Sequence, residues 1–338
     1  MKTRRDRKKE HIDLFLKSSY KQSTLFEDVY LEHNAIPELD FKEIDTSTTF
    51  LGKSVDYPIM INAITGGTNF SQEINRYLSD IAFEFNIPIA VGSQTIGIND
   101  VNSAESFKIV RGRIKDGVVI ANTSANVNVN VAKKAIEMIE ADAIQLHLNV
   151  AQELVMSEGD REFRGVLKNI EQIAANVEVP VIVKEVGFGI SKDAAERLYN
   201  VGVRYIDISG VGGTNFIEIE GNRNNEMDFT DLYSWGIPTA LSLIQCANLK
   251  GDLNIISSGG IKDAQDVIKS LCIGAKMVGI SGEILRRLLE DGYDCAYKYV
   301  KELVYKMKVI MLLLGKKDVN ELHSVPYKVK GELKELIH

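Results

Sequence analysis

Residues 179–189 read Val179-Pro-Val-Ile-Val-Lys184-Glu-Val-Gly-Phe-Gly189, an apolar run that ends on a lysine and breaks at once into a glycine-punctuated turn. The β-branched residues Val179, Val181, Ile182 and Val183 suit a strand buried on both faces, as in parallel sheets. A cation at the carboxyl end of such a strand adds little packing and is costly to leave unpaired. One such lysine could simply reach solvent; the pattern around it decides otherwise. Similar short runs precede it at Pro58-Ile-Met-Ile-Asn62, Ile87-Pro-Ile-Ala-Val91, Gly117-Val-Val-Ile-Ala121 and Ala143-Ile-Gln-Leu-His-Leu148. Three more follow, at Tyr205-Ile-Asp-Ile208, Leu253-Asn-Ile-Ile-Ser257 and Lys276-Met-Val-Gly-Ile280. Between the runs, 71–85, 131–141, 191–201 and 262–271 carry apolar residues three or four apart, the spacing of helices.

Alternation of strand and helix forces a parallel sheet with helical crossovers. Eight units over roughly 280 residues predict an α/β fold, a (β/α)8 TIM barrel. A doubly wound open sheet commonly has fewer strands and needs a switch point in strand order. Residues 1–50 read as an N-terminal extension and 51–338 as the barrel. The stretch from Ser209 to about Thr230 is too long for an ordinary connection and reads as an irregular loop serving as a lid.

The 338 residues are 45% hydrophobic and 26% charged with a net charge of −7, so nothing global argues for nucleic acid or an anionic membrane. Met1 to His11 is the exception, with six basic residues against two acidic ones; a solvated terminus is its plain reading. No apolar stretch approaches the ~18 residues of a membrane span, and no secretory signal is visible. Cys246, Cys272 and Cys295 lack metal-binding spacing; Cys246 and Cys272 fit core thiols, and an odd count fits a reducing cytoplasm.

The ends of the runs collect polar and small residues: Ala63-Ile64-Thr65-Gly66-Gly67, Gly92-Ser93-Gln94, Asn122, His147 with Asn149, Lys184, Ser209 with Thr214, Ser258-Gly259-Gly260, and Gly279 with Ser281. Clustered at one mouth of a barrel, they describe a polar, ligand-sized cavity. Paired glycine turns after the seventh and eighth runs are the usual phosphate site of this fold, where N–H groups and helix N-termini meet the anion. Lys184, opposite that site, suits the pyrimidine edge of FMN, where negative charge collects on reduction.

Taken together, the Gly-Ser-Gln turn at 92–94, His147-Leu-Asn149, Gln152-Glu-Leu154, Lys184 to Gly189 and Ser258-Gly-Gly260 resemble the type 2, FMN-dependent isopentenyl-diphosphate delta-isomerases over nearly the whole chain. The resemblance implies FMN contacts at Ala63, Ile64, Thr65, Gly66, Ser93, Asn122, Lys184, Ser209, Thr214, Gly259, Gly260, Ile280 and Ser281. It implies substrate contacts at Arg7, Lys8, His11, Ser93, Gln94, Thr95, His147, Asn149 and Gln152, with Mg²⁺ on Glu153. The catalytic set it implies is Gln152, His147 and Lys184, His147 orienting or binding diphosphate rather than acting as the primary acid. His147 and Asn149 could instead orient Gln152. Thr95 stands where many relatives carry a basic residue. The resemblance further implies NADPH to reduce the flavin, a homo-oligomer (tetramer or octamer), a cytoplasmic location, and isopentenyl and dimethylallyl diphosphate as ligands. An FMN oxidoreductase of the hydroxy-acid or dihydroorotate type shares the barrel and phosphate loops; it would want an Arg/His pair or a Cys or Ser base. A phosphate-binding barrel without activity is the reading from another class.

Overall fold

The computed structural model describes residues 4–18, 20–224, 227–249 and 251–337; the side chains of 4–7, 9 and 99 lie outside the description. Eight parallel strands close into a barrel: β1 (Ile59–Ile61), β2 (Ile89–Ala90), β3 (Val119–Ser124), β4 (Ala143–His147), β5 (Val181–Lys184), β6 (Tyr205–Asp207), β7 (Asn254–Ser258) and β8 (Met277–Ile280). β8 pairs back onto β1, matching Val278 with Ile59. Seven fall within a residue or two of the runs read from sequence and β3 ends three residues later, at Ser124, because β-branched residues buried on two faces have few other uses.

Side chains two apart on a strand share a face. Outward-facing residues such as Ile59, Ile61, Ile144 and Val183 pack under the surrounding helices. Inward, Met60, Ile120, Ala143, Ile182, Ile256 and Met277 form an apolar layer, closed from below by Phe50 and Val55 of a hairpin pairing 48–50 with 53–55. Burying each large member contributes about 1.5–3 kcal/mol. The next inward positions up are Asn62, Asn122, Gln145, Lys184, Asp207 and Ser258, all buried.

The extension is knitted to the barrel rather than appended. A short strand, 29–31, pairs antiparallel with 327–329, and Ile12, Leu25 and Phe26 join the main core. The division drawn at residue 50 falls in the turn of the hairpin that plugs the barrel floor. The stretch 209–224 is also more ordered than the loop expected: it holds a helix, Phe216–Arg223, whose N-terminus Asn215 caps by accepting from the N–H groups of Ile217 and Glu218. Its Glu-rich composition hid the helix, because Glu218 and Glu220 face inward and are buried.

Candidate active site

The carboxyl ends of the strands open into a cavity of about 1420 Å³, roomier than the roughly 300–1,000 Å³ of a typical ligand pocket. Lys184 lies at its base, 3.8 Å from Asp207 Oδ2, and donates to Glu185 O at 2.5 Å. Register places His147, Lys184 and Asp207 side by side on β4, β5 and β6. The loop after β5 wraps the Glu185 carboxylate, whose Oε2 accepts from the N–H groups of Val186, Gly187 and Phe188. Burial nevertheless pushes Glu185 up to about 7, against those donors. Gly187 has φ +143°, and a Cβ there would lie 2.5 Å from Thr214 O, which accounts for the glycine in the opening motif.

The loops after β6, β7 and β8 add Gly213, Gly259, Gly260 and Ser281 to the lining. A Cβ on Gly259 (φ +102°) would lie 2.1 Å from Gly210 O, so this wall exists only as bare backbone. The helix Gly282–Glu290 starts here, and no side chain caps its N-terminal N–H groups. Uncapped N–H groups beside close-packed glycines fit a phosphate, and with Lys184 in the same cavity the set fits FMN. Ser209, at φ +36°, holds a sparsely populated conformation where β6 enters this wall.

A helix, Arg4–Lys17, lies at the mouth. Lys8 donates to Ser93 O at 2.9 Å, and His11 Nε2 lies 2.8 Å from Glu220 Oε1. Glu220 also accepts from Gln152 Nε2 at 2.8 Å and from Arg223 Nε at 2.7 Å. Burial works against its charge, but His11, Gln152 and Arg223 outweigh it and hold Glu220 below the usual carboxylate range. Glu153 faces the same space; its oxygens accept from Asn149 Nδ2 at 2.8 Å and Asp160 N at 2.9 Å. Among the described residues no three of His, Cys, Asp and Glu gather as a metal cluster. A lone carboxylate such as Glu153 could hold a divalent ion only with ligand and water oxygens completing its shell.

Most of the expected site residues line this one cavity: Lys8, His11, Ala63, Ile64, Thr65, Ser93, Thr95, Asn122, His147, Asn149, Gln152, Glu153, Lys184, Ser209, Thr214, Gly259, Gly260 and Ser281. Three do not. Gln94 is fully buried; it donates to Ala135 O at 2.9 Å, and its Oε1 accepts from Asn122 N at 2.9 Å, so it fastens β3 rather than meeting substrate. Gly66 is turned to the core, where a Cβ would strike the Phe107 ring. Ile280 points outward into the main core because its neighbour Gly279 takes the inward position. The Arg7 side chain lies outside the described residues. Asn62, Gln145, Asp207, Glu220 and Arg223 were not singled out in the sequence, although counting inward positions up from Met60, Ala143 and Tyr205 would have found the first three.

Fold and site together define a flavin barrel. The family profile described as FMN-dependent dehydrogenase matches residues 121–327. Solved structures agree on the fold: a flavocytochrome b2 mutant with pyruvate bound superposes with a TM-score of 0.71 at 18% identity, covering 96% of this chain and 84% of that one. A Pediococcus acidilactici lactate oxidase gives 0.70 at 15%, covering 98% and 96%. Closer in sequence is the isopentenyl-diphosphate delta-isomerase of Bacillus licheniformis, 45% identical over 98% of this chain and 95% of the relative. That of a Geobacillus species is 43% identical with the same coverage. The chain belongs to the isopentenyl-diphosphate delta-isomerases, in their FMN-dependent, type 2 form.

Proposed function

We propose that the chain interconverts isopentenyl and dimethylallyl diphosphate with reduced FMN as acid and base, Mg²⁺ to hold the diphosphate, and NADPH serving only to reduce the flavin. An allylic C–H is too weak an acid for a side-chain base alone, so protonating the alkene first is the easier route. That step needs a strong acid, and the side chains on the substrate side are poor ones. Gln152 is an amide, Glu153 is taken up by the metal, and Glu220 is held below the usual carboxylate range by His11, Gln152 and Arg223. His147, its Nδ1 bound to Asn122, is held neutral: burial above all, then the charges of Lys184 and Lys8, bring it down to about 3. This observation carries the reading. When bound, reduced FMN supplies exchangeable protons at ring nitrogens beside the alkene, together with an electron-rich face.

The chain's own residues bind, orient and exclude water. Lys184 answers negative charge at the pyrimidine edge of the ring. Ala63, Ile64, Thr65, Ser93 and Asn122 line its other edges, and Ser209, Thr214, Gly259, Gly260 and Ser281 cradle the ribityl phosphate. Gln152, held by Glu220, aims the alkene. Glu153, steadied by Asn149, presents the metal to the diphosphate, whose remaining charge meets Lys8, His11 and the segment carrying Arg7. With Thr95 standing where a base is common, Lys8 on Ser93 O is the cation nearest that turn. The reading also carries a cytoplasmic tetramer or octamer, which light scattering tests for assembly.

The decisive assay is anaerobic turnover of isopentenyl diphosphate with FMN, Mg²⁺ and limiting NADPH. Many products per NADPH are expected; one NADPH consumed per product refutes the scheme. Bleaching of the flavin by a 2-hydroxy acid would favour an oxidoreductase instead.

A further inference from the structure

The buried polar layer at the top of the barrel forms one directed chain of hydrogen bonds. Asp207 accepts through both carboxylate oxygens, from Asn62 Nδ2 at 2.6 Å and Ser258 Oγ at 2.5 Å, and with Lys184 3.8 Å away it offers no donor. Asn62 must therefore turn its NH₂ to Asp207 and its Oδ1 to Gln145 Nε2, 2.9 Å away, an orientation that the Ala63 N–H, also 2.9 Å from Oδ1, supports. Gln145 in turn points Oε1 at Asn122 Nδ2, 3.0 Å away. Asn122 is left with Oδ1 facing His147 Nδ1 at 2.9 Å. An amide oxygen accepts and never donates, so the proton of that contact belongs to Nδ1.

We propose that Asp207 is a positioning residue for His147: through Asn62, Gln145 and Asn122 it fixes the tautomer protonated at Nδ1 and leaves Nε2 as an acceptor toward the cavity. The consequence for the ligand is specific. A ring in this form takes a hydrogen bond from bound flavin or substrate and gives none. Kept neutral by burial, the ring has no donor for a diphosphate oxygen, so Nε2 is matched to a donor group of the flavin or substrate. What Nε2 meets rests on the isomerase reading; the relay itself does not.

Selective ¹⁵N-histidine labelling reads the tautomer directly in two-bond nitrogen–proton correlation spectra, with or without FMN. The chain has five histidines, and the His147→Gln variant identifies the signal. The wild type is expected to show Nδ1–H and a bare Nε2. In Asp207→Asn the new amide can donate to Asn62 Oδ1 and drive the chain the other way, against the Ala63 N–H that donates to the same oxygen, so His147 should gain a measurable Nε2–H population in place of a single tautomer. Gln145→Leu cuts the relay with the carboxylate in place and should also lose the single tautomer, so the test survives if Asp207→Asn does not fold. An Nε2–H wild type, or an unchanged Nδ1–H signal in either folded variant, overturns the proposal. Failure of the isomerase reading would appear in turnover and leave these spectra as expected.

Discussion

Replacing Lys184 by methionine keeps the length of the side chain and removes its charge, breaking the contact with Asp207 together with the bond to Glu185 O; pairing it with a change at Asp207 separates the two. The two groups stand 3.8 Å apart with side chains 8% and 0% exposed. At an effective dielectric constant of about 20, unit charges at that distance attract by about 4 kcal/mol. Breaking a buried pair from one side costs about 3–5 kcal/mol, because the partner stays charged and dry. Asp207 keeps its bonds from Asn62 and Ser258, which places Lys184→Met at the lower end, about 3 kcal/mol. Asp207→Asn should cost a similar amount, and the double variant about 3 kcal/mol less than the two together. Urea unfolding of the FMN-free protein, followed by circular dichroism, measures all four corners of the cycle. Additivity within about 0.5 kcal/mol would show that the pair is not coupled and would refute the reasoning. FMN titration of the same proteins should show weakened flavin binding wherever Lys184 is absent.

Gly259→Ala forces a Cβ onto Gly210 O at a backbone φ of +102°; it should cost more than about 2 kcal/mol and yield colourless protein, whereas retained flavin absorbance would count against the phosphate cradle. Gln94→Leu leaves the Asn122 N–H without its acceptor and should destabilise by about 1–3 kcal/mol, yet leave KM for the diphosphate unchanged; a raised KM with normal stability would return Gln94 to the substrate. Glu153→Gln should weaken the apparent Mg²⁺ affinity by about tenfold or more without altering FMN affinity, both read by titration. His147, at about 3 in the folded protein, binds its proton more readily when unfolded, near 6.5. Its contribution to stability is therefore whole above about pH 6.5 and is lost as pH falls toward 3, at up to ~1.4 kcal/mol per pH unit. His147→Gln should unfold at lower pH than the wild type, and identical acid transitions would refute the buried neutral ring.

The barrel was legible because its strands say one thing in every register: 179–183 reads as a doubly buried strand whichever face is considered, and the structure runs it from Val181 to Lys184. The cavity rim was legible for a related reason, since serines, asparagines and glycines just past a buried strand have nowhere else to be useful. The inner polar layer was not. Asn62, Gln145 and Asp207 each sit within or beside an apolar run, where a single polar residue looks like noise; their meaning lies in contacts between strands far apart in sequence, such as the 145-residue separation of Asn62 and Asp207. Glu220 and Arg223 hid differently, inside a polar stretch whose helical phase is set by what it packs against. Gln94 misled because a polar residue after a strand is expected at the mouth, while the Gln94 backbone turns its side chain beneath the rim to meet Ala135.

The braced layer also constrains how this chain can change over generations. Both ends of Asn62, Asn122 and Gln145 are claimed by neighbours on other strands, so a single replacement orphans two buried polar groups at once. The greasy tier beneath tolerates exchanges of similar volume one at a time. The polar tier can drift only in concert, and a library randomised at 62, 122, 145 and 207 together should recover combinations that no sequence of single steps would reach.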